Sequence, residues 1–254
     1  MSLKRIMPCL LLSDRRLVKT VNFSNPKYIG DPINAVKIYN DKEVDELVLL
    51  DIQASKVNSE IDFELIKDFA AECFMPLAYG GGVRTINHFR KLFSIGVEKV
   101  IINTLLIDSP ETVKYAASLF GSQSVVASID VKKNKKEEYF IFSHSGKKIS
   151  YSLEDYLNYI INLNVGEILI TSVDQEGTWN GFDLNLIEKV NKYVKIPIIA
   201  HGGCGSIEDL QNILYKQGAQ AAAIGSMAVY QKKGMGVLIR FPQREQIIKD
   251  EWSF

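Results

Sequence analysis

The chain has 254 residues, and its 30 basic and 30 acidic side chains cancel to a formal net charge of 0. That balance excludes a global field of the kind that draws nucleic acid or an anionic membrane surface. The length suits one large α/β domain.

Apolar runs of strand length alternate with helical patterns from one end to the other. The first strand is predicted at Arg5–Leu12, and a long loop from Ser13 to Gly30 carries Lys19 and Asn22. A helix follows over Pro32–Asn40, behind the Asp31-Pro32 cap, then a strand at Glu46–Ile52 and a helix at Phe63–Cys73. Strand Met75–Tyr79 leads to helix Ile86–Ser94, and strand Lys99–Asn103 to helix Pro110–Phe120, capped by Ser109. Strand Ser124–Asp130 opens a second long loop, Lys132–Ser150. Its alternation around Tyr139-Phe140-Ile141 reads as a hairpin leading into Ser145-Gly146-Lys147, with the lysines 132, 133, 135 and 136 on a solvated edge. Helix Leu153–Asn162, strand Glu167–Ser172, helix Leu184–Tyr193, strand Ile196–His201, helix Ile207–Gln217 after Ser206, and strand Ala221–Gly225 complete the series. Gly234, Gly236 and Pro242 break the tail, leaving a short Val237–Arg240 piece and a polar Gln243–Glu251 segment.

Eight strands that are apolar on both faces and separated by helices imply parallel strands covered on both sides. They close most naturally as a (β/α)₈ TIM barrel, one domain over residues 1–254; an open doubly wound sheet is the alternative. An internal echo favours the barrel. Residues Ala78–Thr104 reappear as Ala200–Ser226 at a constant offset of 122 (200 − 78 and 226 − 104), with Gly80/Gly202, Gly81/Gly203, Leu92/Leu214, Gly96/Gly218 and Ile102/Ile224 identical. The half-barrels then fall at about 1–122 and 123–254. No apolar run approaches about 18 residues and MSLKRIMP is no secretory signal, so a cytoplasmic protein without membrane or nucleic-acid partners is expected. Three cysteines, Cys9, Cys73 and Cys204, lack metal-ligand spacing and fit a reducing compartment. No metal and no cofactor is called for.

Each copy of the echo reads as strand end, glycine turn, helix and second strand. Glycines after a strand expose backbone N–H groups, and the next helix begins with unpaired donors, so two phosphate sites are expected. On the same face Asp130 ends its strand between them, either as a general acid/base or as a structural carboxylate. Lys19 is a phosphate clamp or a loop latch. Asp51, Thr171 and His201 end their strands, while Asp174 and Glu176 sit in the loop after the Thr171-Ser172 strand end. The position symmetric to Asp130, 119 residues earlier (130 − 119 = 11), is Leu11, so the second carboxylate that the duplication would offer is missing. At the opposite end a charge starts each of four strands: Arg5, Glu46, Lys99 and Glu167. They would close as a neutral ring across the lower mouth, or remain separately solvated.

The motifs KRIMPCL, LVKTVNF, DELVLLDI, YGGG, EKVIINT, FGSQSVVASID, SGKK, GEILITS, QEGT and HGGCGS resemble the cyclase subunit of imidazole glycerol phosphate synthase, from Lys4 to about Met227. The resemblance implies a glutaminase partner at the N-terminal face of the barrel and ammonia passing upward to a bisphosphorylated small-molecule substrate. Carried over by position, Gly81, Gly82, Asn103 and Thr104 would hold one phosphate, and Gly203, Gly225 and Ser226 the other. Asp130 and Lys19 would be catalytic, Asp130 as the general acid/base; Leu11, Asp51, Thr171, Glu176 and His201 would line the substrate pocket; Arg5, Glu46, Lys99 and Glu167 would gate the ammonia. Three positions depart from the family. Leu11 stands where it has its first catalytic aspartate, Glu176 where an aspartate precedes the glycine, and His201 where it has a serine. CLLLSD, VKTVNFSNPKYIGDPINAVKIYN and VLIRFP are more similar to paralogues that work with a glutaminase and a sugar amidotransferase to place acetamidino groups on surface-glycan sugars. A true cyclase and a non-catalytic scaffold for a glutaminase stay open as alternatives.

Overall fold

Nearly every barrel-strand residue is apolar and buried, and successive side chains point to opposite faces. One set of alternate residues, including Met7, Cys9, Val48, Ile101, Leu169 and Ile199, packs inside the ring of strands. The other, including Ile6, Leu10, Leu47, Leu49, Leu77 and Val100, packs outward against the helices. A computed structural model of the chain describes residues 4–54, 60–143 and 149–247.

Among the described residues, eight parallel strands close into a barrel: β1 (Arg5–Ser13), β4 (Leu47–Asp51), β5 (Leu77–Gly80), β6 (Lys99–Ile102), β7 (Val125–Lys133), β9 (Glu167–Ser172), β10 (Ile198–His201) and β11 (Ala221–Ile224). β11 pairs with β1 from Arg5↔Ala221 to Pro8↔Ile224 and shuts the ring. The expected (β/α)₈ architecture is therefore present, and the open doubly wound alternative is not. The helices between strands are α1 (Pro32–Asp41), α2 (Phe63–Glu72), α3 (Ile86–Ser94), α4 (Leu105–Asp108), α5 (Pro110–Phe120), α6 (Leu153–Ile161), α7 (Leu184–Tyr193) and α8 (Ile207–Gln211), with α9 (Ser226–Val229) and α10 (Arg244–Ile247) after the last strand. Asp31 caps α1 through Asn34 N with Pro32 in its first turn, and Ser206 forms a reciprocal capping box with Asp209 on α8. Ser109 does not cap α5 with its side chain; its hydroxyl pairs with Thr112 Oγ1 at 2.7 Å.

Three expectations are corrected. The stretch Ser13–Gly30 is not an irregular loop but an antiparallel ribbon, β2 (Arg16–Val21) and β3 (Ser24–Gly30), with β2 paired to β1. Helix Ile207–Gln217 is α-helical only to Gln211 and continues as one π turn over Asn212–Lys216. The tail contains no Val237–Arg240 element. Instead Val237 bridges Tyr230, and α10 packs on α8, where Gln211 Nε2 donates to Gln246 O at 3.1 Å. The hairpin after β7 is present, its return strand being β8 (Tyr139–Ile141). Ser145-Gly146-Lys147, His144 and the end of the Gln243–Glu251 segment lie outside the described residues.

Candidate active site at the mouth of the barrel

The C-terminal ends of the strands surround a cavity of about 140 Å³ lined by, among others, Leu11, Asp51, Asn103, Asp130, Thr171 and His201. Strand register explains the grouping, since Asp130 pairs with Thr171 and Thr171 with His201 on adjacent strands. Asn103 Nδ2 donates to Asp130 Oδ2 at 2.9 Å, which aims that carboxylate. Leu11 puts an aliphatic side chain into the same cavity. Asp51 turns its Oδ1 to the amides of Gln53 and Ala54, at 2.9 and 3.0 Å. Burial pushes its pKa above the ordinary carboxylate value, those two amides oppose the shift, and Asp14 and Asp62 add to it.

The two glycine turns adopt matching strained conformations. Gly81 has φ +128°, and a Cβ there would lie 2.6 Å from Asp51 O; Gly203 has φ +101°, and its Cβ would lie 2.0 Å from Gly181 O. Only glycine fits either position. The first turn, with Gly82, Asn103 and Thr104, borders the main cavity. The second, with Gly225 and Ser226, borders a smaller cleft that also contains Lys19. Glu176 and His201 line both and stand between them.

Sequence reasoning missed how deeply Glu176 and Lys19 are buried. They form an ion pair of 2.5 Å with side chains 1% and 3% exposed. Burial alone pushes Glu176 upward, but the neighbouring Lys19 and the Phe23 amide carry its pKa below the usual carboxylate value. Thr20 and Phe23, on the ribbon taken for a loop, also line the main cavity. Gly177 was the available signal, because a Cβ there would meet Thr20 O at 2.4 Å, so the ribbon can cross only over a glycine. His201 Nδ1 faces Thr171 Oγ1 at 3.2 Å. Burial and then the Lys19 charge lower its pKa to about 4, against Glu176 and Asp130, so the ring is neutral at pH 7. His88 lies away from the mouth on α3, where its Nδ1 accepts from Arg84 N at 3.3 Å.

At the other end of the barrel the four strand-start charges close into a ring. Arg5 reaches Glu46 at 2.7 Å and Glu167 at 3.0 Å, and Lys99 reaches the same two carboxylates at 2.9 and 3.2 Å. Two residues farther along each chain segment come Met7, Val48, Ile101 and Leu169, so the ring is roofed by an apolar layer. Ile101 borders the mouth cavity from below, and none of the four charged residues lines it.

Comparison with known proteins agrees with this geometry. Residues 5–234 match the family model described as histidine biosynthesis protein. A Pseudomonas aeruginosa protein, provisionally named imidazole glycerol phosphate synthase subunit HisF2, is 48% identical over 240 residues, 94% of this chain and 96% of that one. A Leptospira interrogans protein with a provisional name of the same kind is 43% identical over 243 residues, 95% and 96% of the two chains. The imidazole glycerol phosphate synthase subunit HisF of Lactococcus lactis subsp. cremoris is 42% identical over 229 residues, 89% and 88% of the two chains.

Proposed function

The chain belongs to the histidine biosynthesis protein family, as a barrel of the cyclase-subunit type of imidazole glycerol phosphate synthase, and on that premise we propose that it takes ammonia from a glutaminase docked at the charge ring and delivers it to a phosphorylated substrate at the mouth. Residues 1–254 act as one domain in this reading, each half-barrel contributing one phosphate cradle. Gly81, Gly82, Asn103 and Thr104 hold one phosphate, and Gly203, Gly225 and Ser226 the other, with Lys19 adding a cation at the second. Asp130, a strand-end carboxylate oriented by Asn103, moves the proton. Arg5, Glu46, Lys99 and Glu167 open as a gate, and ammonia crosses the layer of Met7, Val48, Ile101 and Leu169 when those side chains move.

The observation that carries the finer reading is Leu11 in the same cavity as Asp130. A leucine cannot move a proton, and a missing general acid/base costs roughly 10²- to 10⁴-fold in rate. We therefore place the chain with paralogues that keep the ammonia route and the phosphate pockets but not efficient ring closure, and that supply ammonia to a sugar amidotransferase making acetamidino sugars. The pairing of both cradles with Asp130 supports a second reading, a true cyclase of histidine biosynthesis. A scaffold that only docks a glutaminase would turn over nothing.

The deciding assay gives purified protein ammonium salt and the aminoimidazole bisphosphate precursor, beside a Leu11→Asp variant. Turnover confined to the variant is expected. Normal turnover by the unaltered chain would make it a cyclase, and turnover by neither would favour the scaffold.

A further inference from the structure

The Lys19–Glu176 pair sits where the two cradles meet, and its contacts reach in two directions. On one side Glu176 ties down the ribbon: Oε1 also accepts from Thr20 Oγ1 at 3.0 Å, Oε2 accepts from Phe23 N at 3.1 Å, and Asn22 N donates to Glu176 O at 2.9 Å. Asn22 Nδ2 adds bonds to Val173 O and Asp174 O at 3.0 and 2.8 Å. On the other side the lysine lies against bare backbone. A Cβ placed on Gly225 would stand 2.7 Å from Lys19 Cε and 2.9 Å from Nζ, so the ammonium occupies the wall of the second cradle beside Ser226.

We infer that Glu176 is a positioning residue that sets the charge selectivity of the second cradle, holding the Lys19 ammonium at Gly225 until a phosphate monoester dianion takes it in exchange. The inference rests on reading that cradle as a phosphate site. Lysine carries three donors on a flexible stem and can turn from one acceptor to another. A monoanion offers Lys19 no more charge than Glu176 already does, whereas a dianion offers more. The exchange leaves Glu176 its bonds from Thr20 and the Phe23 amide, so the ribbon stays tied while the lysine moves. Until that exchange Glu176 compensates the buried Lys19 cation.

The test titrates the full chain with methyl phosphate and with methyl sulfate, a monoanion of the same shape. The amide signals of Gly203 and Ser226 report the second cradle, and those of Gly82 and Thr104 the first. In the unaltered protein the second cradle is expected to take methyl phosphate in clear preference to methyl sulfate. Glu176→Gln removes the competing charge while its one amide oxygen accepts from the Phe23 amide and its NH2 donates to the Thr20 hydroxyl, which can accept, and it should bind methyl phosphate there about tenfold more tightly, with a smaller change at the first cradle. Lys19→Met should weaken the second cradle alone. Equal binding of the two anions at the second cradle, or equal or weaker methyl phosphate binding by Glu176→Gln, would overturn the inference while leaving the phosphate reading intact. Silence of the Gly203 and Ser226 signals in the unaltered protein and every variant would remove the phosphate reading and this inference with it. The comparison of the two anions needs no variant, so it decides even if Glu176→Gln does not fold.

Discussion

Lys99 and Arg5 bind the same oxygen of Glu46, Oε2, at 2.9 and 2.7 Å, and the other oxygen, Oε1, is buried without a hydrogen-bond partner among the described residues. One carboxylate thus holds two cations by one atom. Removing one cation leaves the other in place, so the ring should loosen without collapsing.

Lys99→Ala is expected to lower stability by about 1–3 kcal/mol, the range for leaving a buried or half-buried polar partner short of a bond. Its functional effect should divide by nitrogen source. In the Leu11→Asp background, activity with free ammonium should stay near that of the Leu11→Asp parent, while glutamine-dependent activity with the partner glutaminase should change. Steady-state rates with each nitrogen source, run side by side, check this. Equal changes in both would mean that the ring serves structure alone.

The second prediction concerns Asp130. Replacing it by Asn preserves shape and the contact from Asn103 but removes the proton-carrying group, and should cost about 10²- to 10⁴-fold in any turnover the Leu11→Asp variant gains. Asn103→Ala should cost less in the chemical step at saturating substrate, because the carboxylate remains and loses only its aim, and it should weaken substrate binding as well, because one holder of the first phosphate is gone. A single-turnover rate measured in the Leu11→Asp background separates the two. An unimpaired Asp130→Asn enzyme would remove Asp130 from the chemistry.

What could be read before any coordinates follows from how locally each feature is encoded. Barrel strands such as Glu167–Ser172 were legible because both faces are apolar, and the two glycine turns because glycine is the residue that tolerates the φ of Gly81 and Gly203. The charge ring was legible as a pattern of strand-start residues, although its closure is a property of the barrel. The ribbon was not legible, because Lys19 breaks the apolar alternation of β2 and only its distant partner Glu176 makes a buried lysine acceptable there. The π turn after α8 escaped for a related reason: Asn212–Lys216 has ordinary helical composition, and nothing local signals the change of hydrogen bonding.

His201 makes a prediction about pH. Its folded pKa of about 4 lies below the ordinary value of 6.5, so the unfolded chain binds the proton more readily than the folded one between those pH values. The stabilising effect of keeping the ring neutral is fully present above about 6.5 and is lost as pH falls toward about 4. The loss should approach about 3 kcal/mol if His201 acted alone. Urea denaturation across that range, compared with a His201→Asn variant, checks it. The variant should show a flatter profile, and identical slopes would mean that His201 titrates normally.

The last prediction contrasts two glycines of one cradle. Gly203→Ala puts a methyl group 2.0 Å from Gly181 O, a backbone atom that cannot step aside, at a φ of +101° that L-residues avoid. A loss of at least about 1–3 kcal/mol is expected from the backbone conformation alone, before the clash is counted. Gly225→Ala meets only the end of the Lys19 side chain, at 2.7 and 2.9 Å, and its φ of −101° is negative, although its ψ of −87° lies just outside the helical region and adds some strain. That variant should lose less stability than Gly203→Ala, but its lysine must leave the cradle wall, so methyl phosphate binding should weaken at Ser226 and not at Thr104. Denaturation midpoints and the same anion titration measure both effects. Similar stability losses in the two variants would mean that the Lys19 side chain is held as rigidly as backbone.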